Sequence, residues 1–236
     1  MSISPSRTNA LTLPRVGVGK TSLQVGTYAP GHEYHILLAQ KALERKLCDL
    51  VILAVKPDST TKANLPAPHI RIKMLELLIK ELAQPHEQGK ILVALFPTPY
   101  EDQLALTRTL GNPKDTHIRE LTGSDSFEPY IGELDPKSRD IKEIHHDVFI
   151  RHGYDDAFTP GFTEKLEQLG VSYKTHPCHE EKPLSSSKIR DSLSTLIKNP
   201  KDFEALNALK EIYKGAPKAL DFLIEHAKEF TKLVKR

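Results

Sequence analysis

Apolar residues follow two different periods along this chain. Residues 49–55, which are apolar throughout after Asp49, and the apolar run at residues 91–96 predict strands that are buried on both faces, as in a parallel sheet. Residues 33–47 and 69–83 instead place apolar side chains every three or four positions, which predicts helices with one buried face. The same patterns predict further strands at 22–26, 117–122, 147–151 and 171–175, and further helices at 101–110, 163–169 and 186–198.

Strands and helices therefore alternate, with short links between them. This order predicts an α/β fold in which a parallel sheet is covered by helices. Ligands of such folds bind at the carboxyl ends of the strands. After Asn199 and Pro200 the pattern changes to two more amphipathic helices. We expect a sheet domain over residues 1–199 and a helical extension over residues 200–236 that packs on it.

Composition and charge narrow the class of protein. The 236 residues suffice for one large α/β domain with a helical extension, and the formal net charge of +2 does not suggest a nucleic-acid binder. No apolar run is long enough to span a membrane, and the first residues lack the apolar core of a signal peptide. Cys48 and Cys178 form neither a metal nor a disulfide pattern, so we expect a cytoplasmic protein.

The most informative stretch is residues 26–35, Gly-Thr-Tyr-Ala-Pro-Gly-His-Glu-Tyr-His, where a predicted strand leads into a predicted helix. His32 and His35 are three positions apart, so they share a face at the start of that helix. Their imidazoles can donate hydrogen bonds to phosphate oxygens, and Gly26 lets a ligand approach the backbone. The alternative is a helix start that merely contains two histidines.

A second stretch, residues 184–190, has the sequence Leu-Ser-Ser-Ser-Lys-Ile-Arg. Hydroxyls of Ser185, Ser186 and Ser187 lie at a helix start, where unpaired N–H groups attract anions. Arg190, one turn further, can bind phosphate with two hydrogen bonds. The alternative is an ordinary serine N-cap followed by an exposed arginine. If the two helix starts face each other, they would hold a polyphosphate, which indicates an enzyme that uses a nucleotide.

Two further motifs have residues that can bind ligands. Gly123, Ser124 and Asp125 follow a predicted strand, where an aspartate commonly accepts hydrogen bonds from ribose; a simple turn is the alternative. His176, Cys178 and His179 lack a fourth ligand at the usual spacing, so we predict no metal site made of protein side chains.

Taken together, these motifs resemble the HxGH-type nucleotidyltransferase superfamily, and within it the nicotinamide/nicotinate mononucleotide adenylyltransferases. Residues 26–35 resemble the family pattern G-T-F-x-P-x-H-x-G-H, and residues 184–190 resemble I-S-S-T-x-I-R. Between them, residues 62–75 are similar to a basic loop and its following helix, residues 123–125 to G-A-D, and residues 149–155 to a strand ending in R-x-G-x-D. The resemblance runs in order from about residue 20 to residue 200.

The chain departs from the family pattern at three positions of the first stretch. Val25 replaces a common second glycine, Ala29 a frequent aspartate, and Tyr34 the glycine between the histidines. The bulky ring of Tyr34 is expected to narrow the phosphate pocket. The chain also has no Trp, although family members often stack an aromatic side chain on the nicotinamide ring.

The resemblance implies a Rossmann-like nucleotidyltransferase domain that transfers AMP from ATP to a nicotinate or nicotinamide mononucleotide and releases pyrophosphate. It implies Mg²⁺ that arrives with ATP, and no nucleic-acid or membrane partner; the longer C-terminal helices suggest a possible homo-oligomer. By position, the implied catalytic residues are His32, His35 and Arg190. The implied nucleotide-binding residues are Gly26, Thr27, Tyr28, Gly123, Asp125, Ser185, Ser186 and Ser187. The implied acceptor-binding residues are Lys62, Arg71 and Arg151.

Three alternatives stay open on the sequence. A sister enzyme could use the same chemistry on another phosphorylated acceptor, as a pantetheine-phosphate adenylyltransferase or a cytidylyltransferase. A nucleotide-binding regulator without turnover would fit the departures at Val25, Ala29 and Tyr34. The third alternative is a structural or interaction protein in which the C-terminal helices bind a partner.

Overall fold

The computed structural model describes residues 21–57, 62–96, 118–125, 127, 144–151, 158–178 and 186–235. The strands are β1 (Thr21–Gly26), β2 (Leu50–Val55), β3 (Lys62–Ala63), β4 (Ile91–Leu95), β5 (Ile118–Gly123), β6 (Ile144–Ile150), β7 (Ser172–Pro177) and β8 (Val234–Lys235). The helices are α1 (Glu33–Glu44), α2 (Pro68–Leu82), α3 (Pro85–Gln88), α4 (Pro160–Leu169), α5 (Ser186–Lys198), α6 (Phe203–Ile212), α7 (Pro217–Glu225) and α8 (Ala227–Thr231).

Six of the strands form one parallel sheet in the order β4-β2-β1-β5-β6-β7. This is a Rossmann-like α/β fold, as predicted. Alternate residues of β2 show why a strand inside the sheet is apolar at every position. Val51, Leu53 and Val55 pack into a cluster with α1 and α2, whereas Ile52 and Ala54 pack into a second cluster on the opposite face.

Several predicted elements occur with shifted bounds. β6 begins at Ile144, three residues earlier than predicted, because His145 and His146 alternate between the two faces of the sheet. His145 contacts Ser172 at 2.8 Å, and His146 lies 3.9 Å from Glu120. α4 begins at Pro160, with Thr159 as its N-cap, and ends at Leu169; Gly170, which caps it, has the left-handed conformation. The predicted helix at 101–110 lies outside the described residues.

The C-terminal part of the chain is more elaborate than the two predicted helices. It forms α6, α7 and the short α8, and β8 then pairs antiparallel with β3. Buried side chains of these helices belong to the same apolar cluster as those of β2, α1 and α2. They are Leu209, Tyr213, Ala216, Ala219, Leu220, Leu223, Ala227 and Phe230. No helix within the described ranges is long and apolar enough to cross a lipid bilayer.

β1 is the point from which successive strands are added to the sheet on opposite sides. β2 and β4 extend the sheet to one side of β1, and β5, β6 and β7 extend it to the other. β1 and β5 pair only as far as Leu23 and Glu120, so their last residues separate and leave a crevice. Crevices at such a reversal of strand order, at the carboxyl ends of the strands, are where open α/β sheets bind ligands.

Candidate functional site

A cavity of about 270 Å³ occupies this crevice. The ends of β1 and β5 form its floor, and the start of α1 forms one wall. Its lining includes most of the residues that the sequence placed at a ligand site. These are Gly26, Thr27, Tyr28, His32, His35, Lys62, Gly123, Asp125, Arg151 and Ser186; Tyr34 lines it as well.

The two predicted phosphate-binding stretches meet at this cavity. The β1–α1 loop (residues 27–31) and the start of α5 are joined by side-chain hydrogen bonds to consecutive carbonyl groups. Ser186 Oγ donates to Pro30 O at 2.9 Å, and Arg190 Nη1 donates to Ala29 O at 2.7 Å. Ser187 Oγ accepts a hydrogen bond from Arg190 Nη2 at 2.9 Å. Ser185 lies outside the described residues.

Two histidines stand at the N-terminus of α1. His32 is its N-cap residue and is 4% exposed, and the centroids of the His32 and His35 rings are 4.1 Å apart. Burial lowers the pKa of His32 well below its usual value, and the neighbouring His35 and Arg151 lower it further. Burial likewise lowers the pKa of His35 to about 4. Both imidazoles are therefore neutral at pH 7.

The hydrogen bonds of His35 determine which of its ring nitrogens carries the proton. Its Nδ1 lies 3.1 Å from the backbone N of His32 and 3.2 Å from the backbone O of His32. The His32 carbonyl already accepts the backbone N–H of His35. The nearby His32 N–H, in contrast, needs an acceptor, and Nδ1 of His35 can be that acceptor. Since an N–H can only donate, we assign Nδ1 as the acceptor of the His32 N–H, which places the proton of the neutral ring on Nε2.

The side chain of His32 uses less of its hydrogen-bonding capacity than that of His35. Among the described residues, none forms a hydrogen bond with its buried Nδ1. An unpaired buried polar atom costs free energy, so a ligand that supplied an oxygen here would be bound more tightly.

Lys62 and Arg71 act on the β1–α1 loop in different ways. Lys62 Nζ donates to Thr27 Oγ1 at 2.9 Å and lines the cavity. Arg71 is fully buried, does not line the cavity, and donates to backbone carbonyls. Its acceptors are the oxygens of Pro66, Thr27, Lys56 and Pro57, at 2.8, 2.8, 2.7 and 3.0 Å. Of these oxygens, that of Thr27 belongs to the β1–α1 loop and the other three lie between β2 and α2. That Arg71 binds the acceptor stays a prediction.

A charged and aromatic cluster forms another wall of the cavity. Arg151 Nη1 donates to Asp125 Oδ2 at 2.7 Å, and its guanidinium lies 4.0 Å from the centre of the Tyr34 ring. The backbone N of Arg151 also donates to Ser124 Oγ at 3.0 Å. The ring of Tyr34 therefore serves as a platform for the guanidinium of Arg151, which lines the cavity.

Two glycines of the lining lie close to neighbouring side chains. A Cβ on Gly26 would lie 3.2 Å from the ring of Tyr28, and a Cβ on Gly123 would lie 2.5 Å from Asp125 Oδ1. Tyr28 itself has a left-handed backbone, with φ of 48°, and its hydroxyl donates to the carbonyl of Gln24. The ring of Tyr28 lies edge-on to His35, with centroids 4.9 Å apart.

In the described part of the chain, no group of three or more His, Cys, Asp or Glu side chains could hold a metal ion. The carboxylate of Asp125, which lines the cavity, is paired with Arg151.

One residue that supports the loop was missed by the sequence analysis. Tyr213, which follows α6, donates from its hydroxyl to Gly31 O at 2.7 Å. A single tyrosine in an amphipathic helix carries no sequence signal that would distinguish it from a residue of the apolar core.

The solved structures that share this fold include two of one enzyme of Plasmodium falciparum. Its nicotinic acid mononucleotide adenylyltransferase complexed with NaAD aligns with 89% of this chain and 97% of its own, with a TM-score of 0.69 and 17% identity. The same enzyme complexed with APC aligns over the same shares, with a TM-score of 0.65. No protein-family model and no curated protein matches the sequence. At this identity the likeness establishes the fold alone.

Proposed function

We propose that this protein is an adenylyltransferase that transfers AMP from ATP to nicotinate or nicotinamide mononucleotide, with release of pyrophosphate. The observation that carries the proposal is the pair of neutral histidines at the N-terminus of α1, facing a cavity at the reversal of strand order. The shared fold with a nicotinic acid mononucleotide adenylyltransferase supports the choice of acceptor.

The reaction depends on the positioning of the two substrates and on charge stabilisation more than on a protein nucleophile. The acceptor's phosphate is itself the nucleophile: its oxygen forms a bond to the α-phosphorus of ATP, and the bond from that phosphorus to the bridging oxygen breaks. Negative charge moves to the departing pyrophosphate. Donors preorganised around the α- and β-phosphates lower the free energy of this transition state.

In our proposal the start of α1 supplies those donors. His35 offers Nε2–H, and the buried Nδ1 of His32 would gain the phosphate partner that it lacks among the described residues. The first N–H groups of α1 add a partial positive charge. Because both rings are neutral, each donates a proton in a hydrogen bond without giving it up.

The cations of the cavity have separate roles in the proposal. Lys62 and Arg151 would bind the acceptor's phosphate, since both line the cavity near the histidines. Asp125 would contact ribose while it orients Arg151. Ser186, which lines the cavity, and Arg190, which does not line it, would bind the outer phosphates of ATP with the N-terminus of α5. They would do so in exchange for some of their present hydrogen bonds to the β1–α1 loop and within α5. Mg²⁺ bound to ATP would neutralise charge on the phosphate oxygens.

The test is pyrophosphate release from Mg-ATP with nicotinate mononucleotide and nicotinamide mononucleotide supplied separately. We expect release with at least one acceptor, and a loss of about 10²-fold or more in kcat for His35→Ala, the scale for removal of one transition-state donor. His86→Ala is the matched control, because His86 is exposed on α3 and does not line the cavity.

Two outcomes would overturn the proposal. Release from His35→Ala at the wild-type rate would remove His35 from the mechanism. No release with either acceptor, while ATP still binds, would favour another phosphorylated acceptor or a regulator without turnover.

A further inference from the structure

Three consecutive carbonyls of the β1–α1 loop each accept a hydrogen bond from a side chain far along the chain. Those of Ala29 and Pro30 accept from α5. The third, of Gly31, accepts from the hydroxyl of Tyr213, which belongs to the C-terminal helices. The C-terminal part of the protein therefore touches the chain directly before His32.

Tyr213 is held firmly enough to fix the position of Gly31. Its side chain is 2% exposed and lies in the main apolar cluster. Its backbone N–H donates to Leu209 O at 2.9 Å, and its carbonyl accepts from Ala216 N at 2.8 Å. On the other side of Gly31, a Cβ would lie 3.0 Å from Leu75 Cδ2, so the loop is enclosed between α2 and Tyr213.

A single peptide group connects the hydrogen bond between Tyr213 and Gly31 O to the side chain of His35. The carbonyl of Gly31 and the N–H of His32 belong to the same planar unit. Tyr213 donates to the oxygen of that unit, and its N–H donates to Nδ1 of His35. Orienting the carbonyl therefore orients the N–H, and a hydrogen bond at one end of a peptide strengthens the one at the other.

We propose that Tyr213 is a positioning residue for His35, acting through the Gly31–His32 peptide. It holds the His32 N–H against Nδ1, which leaves the proton of the imidazole on Nε2, the nitrogen free to donate to a phosphate. The consequence for turnover rests on the proposed function, whereas the consequence for the His35 tautomer does not.

The decisive variant is Tyr213→Phe, which keeps the ring and removes the hydroxyl. We expect kcat for pyrophosphate release to fall about tenfold, because a small displacement of a catalytic group lowers the rate without weakening ground-state binding. The KM for ATP should stay within about twofold. In a His35→Ala background the same change should have no further effect on kcat, since the two residues act as one unit.

Thr231→Val is the matched control. It also removes a hydroxyl from the C-terminal helices, but that hydroxyl donates to Ala227 O within α8 and does not contact the loop. Its kcat and KM should equal those of the wild type. An equal loss of kcat in both variants would mean a general loosening of the C-terminal helices and would overturn the proposal.

Imidazole ¹⁵N NMR of the wild type and of Tyr213→Phe tests the tautomer directly. We expect an unprotonated Nδ1 and a protonated Nε2 on His35 in the wild type, and a mixture of the two tautomers in the variant. A protonated Nδ1 in the wild type would overturn the proposal even if Tyr213→Phe failed to fold. If the wild type released no pyrophosphate, the proposed function would fail while this measurement still decided the role of Tyr213.

Discussion

At the scale of single residues, burial sets the charge of the histidines. His146 on β6 is 1% exposed, and its ring centroid lies 5.1 Å from that of Phe127. Burial lowers its pKa to about 4; the neighbouring His145 lowers it further, and Asp147 acts in the opposite direction. In the unfolded chain the same group has the usual pKa of about 6.5. Between these two values the unfolded state binds a proton that the folded state does not.

This difference predicts that His146 stabilises the fold above pH 6.5 and that the contribution is lost as the pH falls towards 4. The limiting slope is about 1.4 kcal/mol per pH unit. Glu120, whose pKa burial raises to about 7, acts with the opposite sign over an overlapping range. The measurement is therefore a difference: urea unfolding of the wild type and of His146→Gln at pH 7, 6 and 5.

We expect the wild type to lose stability relative to His146→Gln as the pH is lowered. His86→Gln, at an exposed position, should follow the wild type at every pH. Parallel curves for the wild type and His146→Gln would show that His146 takes up a proton in the folded state as readily as in the unfolded chain.

Residues also differ in how far their roles follow from sequence. His32 and His35 could be placed at one helix start because their spacing fixes their relation on a helix. Arg71 shows the limit of prediction from sequence. The sequence identifies it as a cation near a predicted phosphate-binding motif. It does not show four backbone carbonyls converging on that cation, because they come from three separate points of the folded chain.

At the scale of secondary-structure elements, α2 holds the β1–α1 loop through Arg71. We predict that Arg71→Lys lowers the free energy of unfolding by about 3 kcal/mol, because one ammonium cannot satisfy four buried carbonyls. Chemical denaturation measures this. Lys73→Gln, on an exposed part of α2, loses only a surface ion pair with Glu76 and should change stability by less than about 1 kcal/mol.

The same variant separates two roles for Arg71. Wild-type stability together with a raised KM for the mononucleotide alone would contradict the structural role and favour direct binding of the acceptor, as the sequence analysis expected.

Elements were predictable where a pattern of several residues marks them. β2 has six apolar residues in succession, and both faces of the sheet bury them. β3 and β8 have two residues each, Lys62–Ala63 and Val234–Lys235, and so few residues show no period. Their pairing follows from tertiary contacts, which bring the chain before residue 236 beside the strand that carries Lys62.

At the scale of the whole molecule, the C-terminal helices share the main core. Phe230 of α8 is fully buried in the cluster that contains β2 and α2, whereas Phe203 of α6 is 74% exposed. We predict that Phe230→Ala lowers the free energy of unfolding by about 4 kcal/mol. Phe203→Ala should change it by less than about 0.5 kcal/mol.

Urea unfolding followed by circular dichroism and by tyrosine fluorescence checks this prediction. Both probes should report one transition in the wild type, and Phe230→Ala should shift it as a whole. Two separated transitions, with only one of them moved by the substitution, would mean that the C-terminal helices unfold as a unit of their own.

The hydrogen bonds to Ala29, Pro30 and Gly31 span 161, 156 and 182 residues of sequence. A nascent chain leaves the ribosome from its N-terminus, so the histidines emerge long before Arg190, Ser186 and Tyr213. The loop that precedes them can reach its final form only after Tyr213 has been synthesised. The proposed ability to bind and turn over a nucleotide would therefore arise late in synthesis. A chain that stops short of α6 would expose its β1–α1 loop without Tyr213, which holds Gly31.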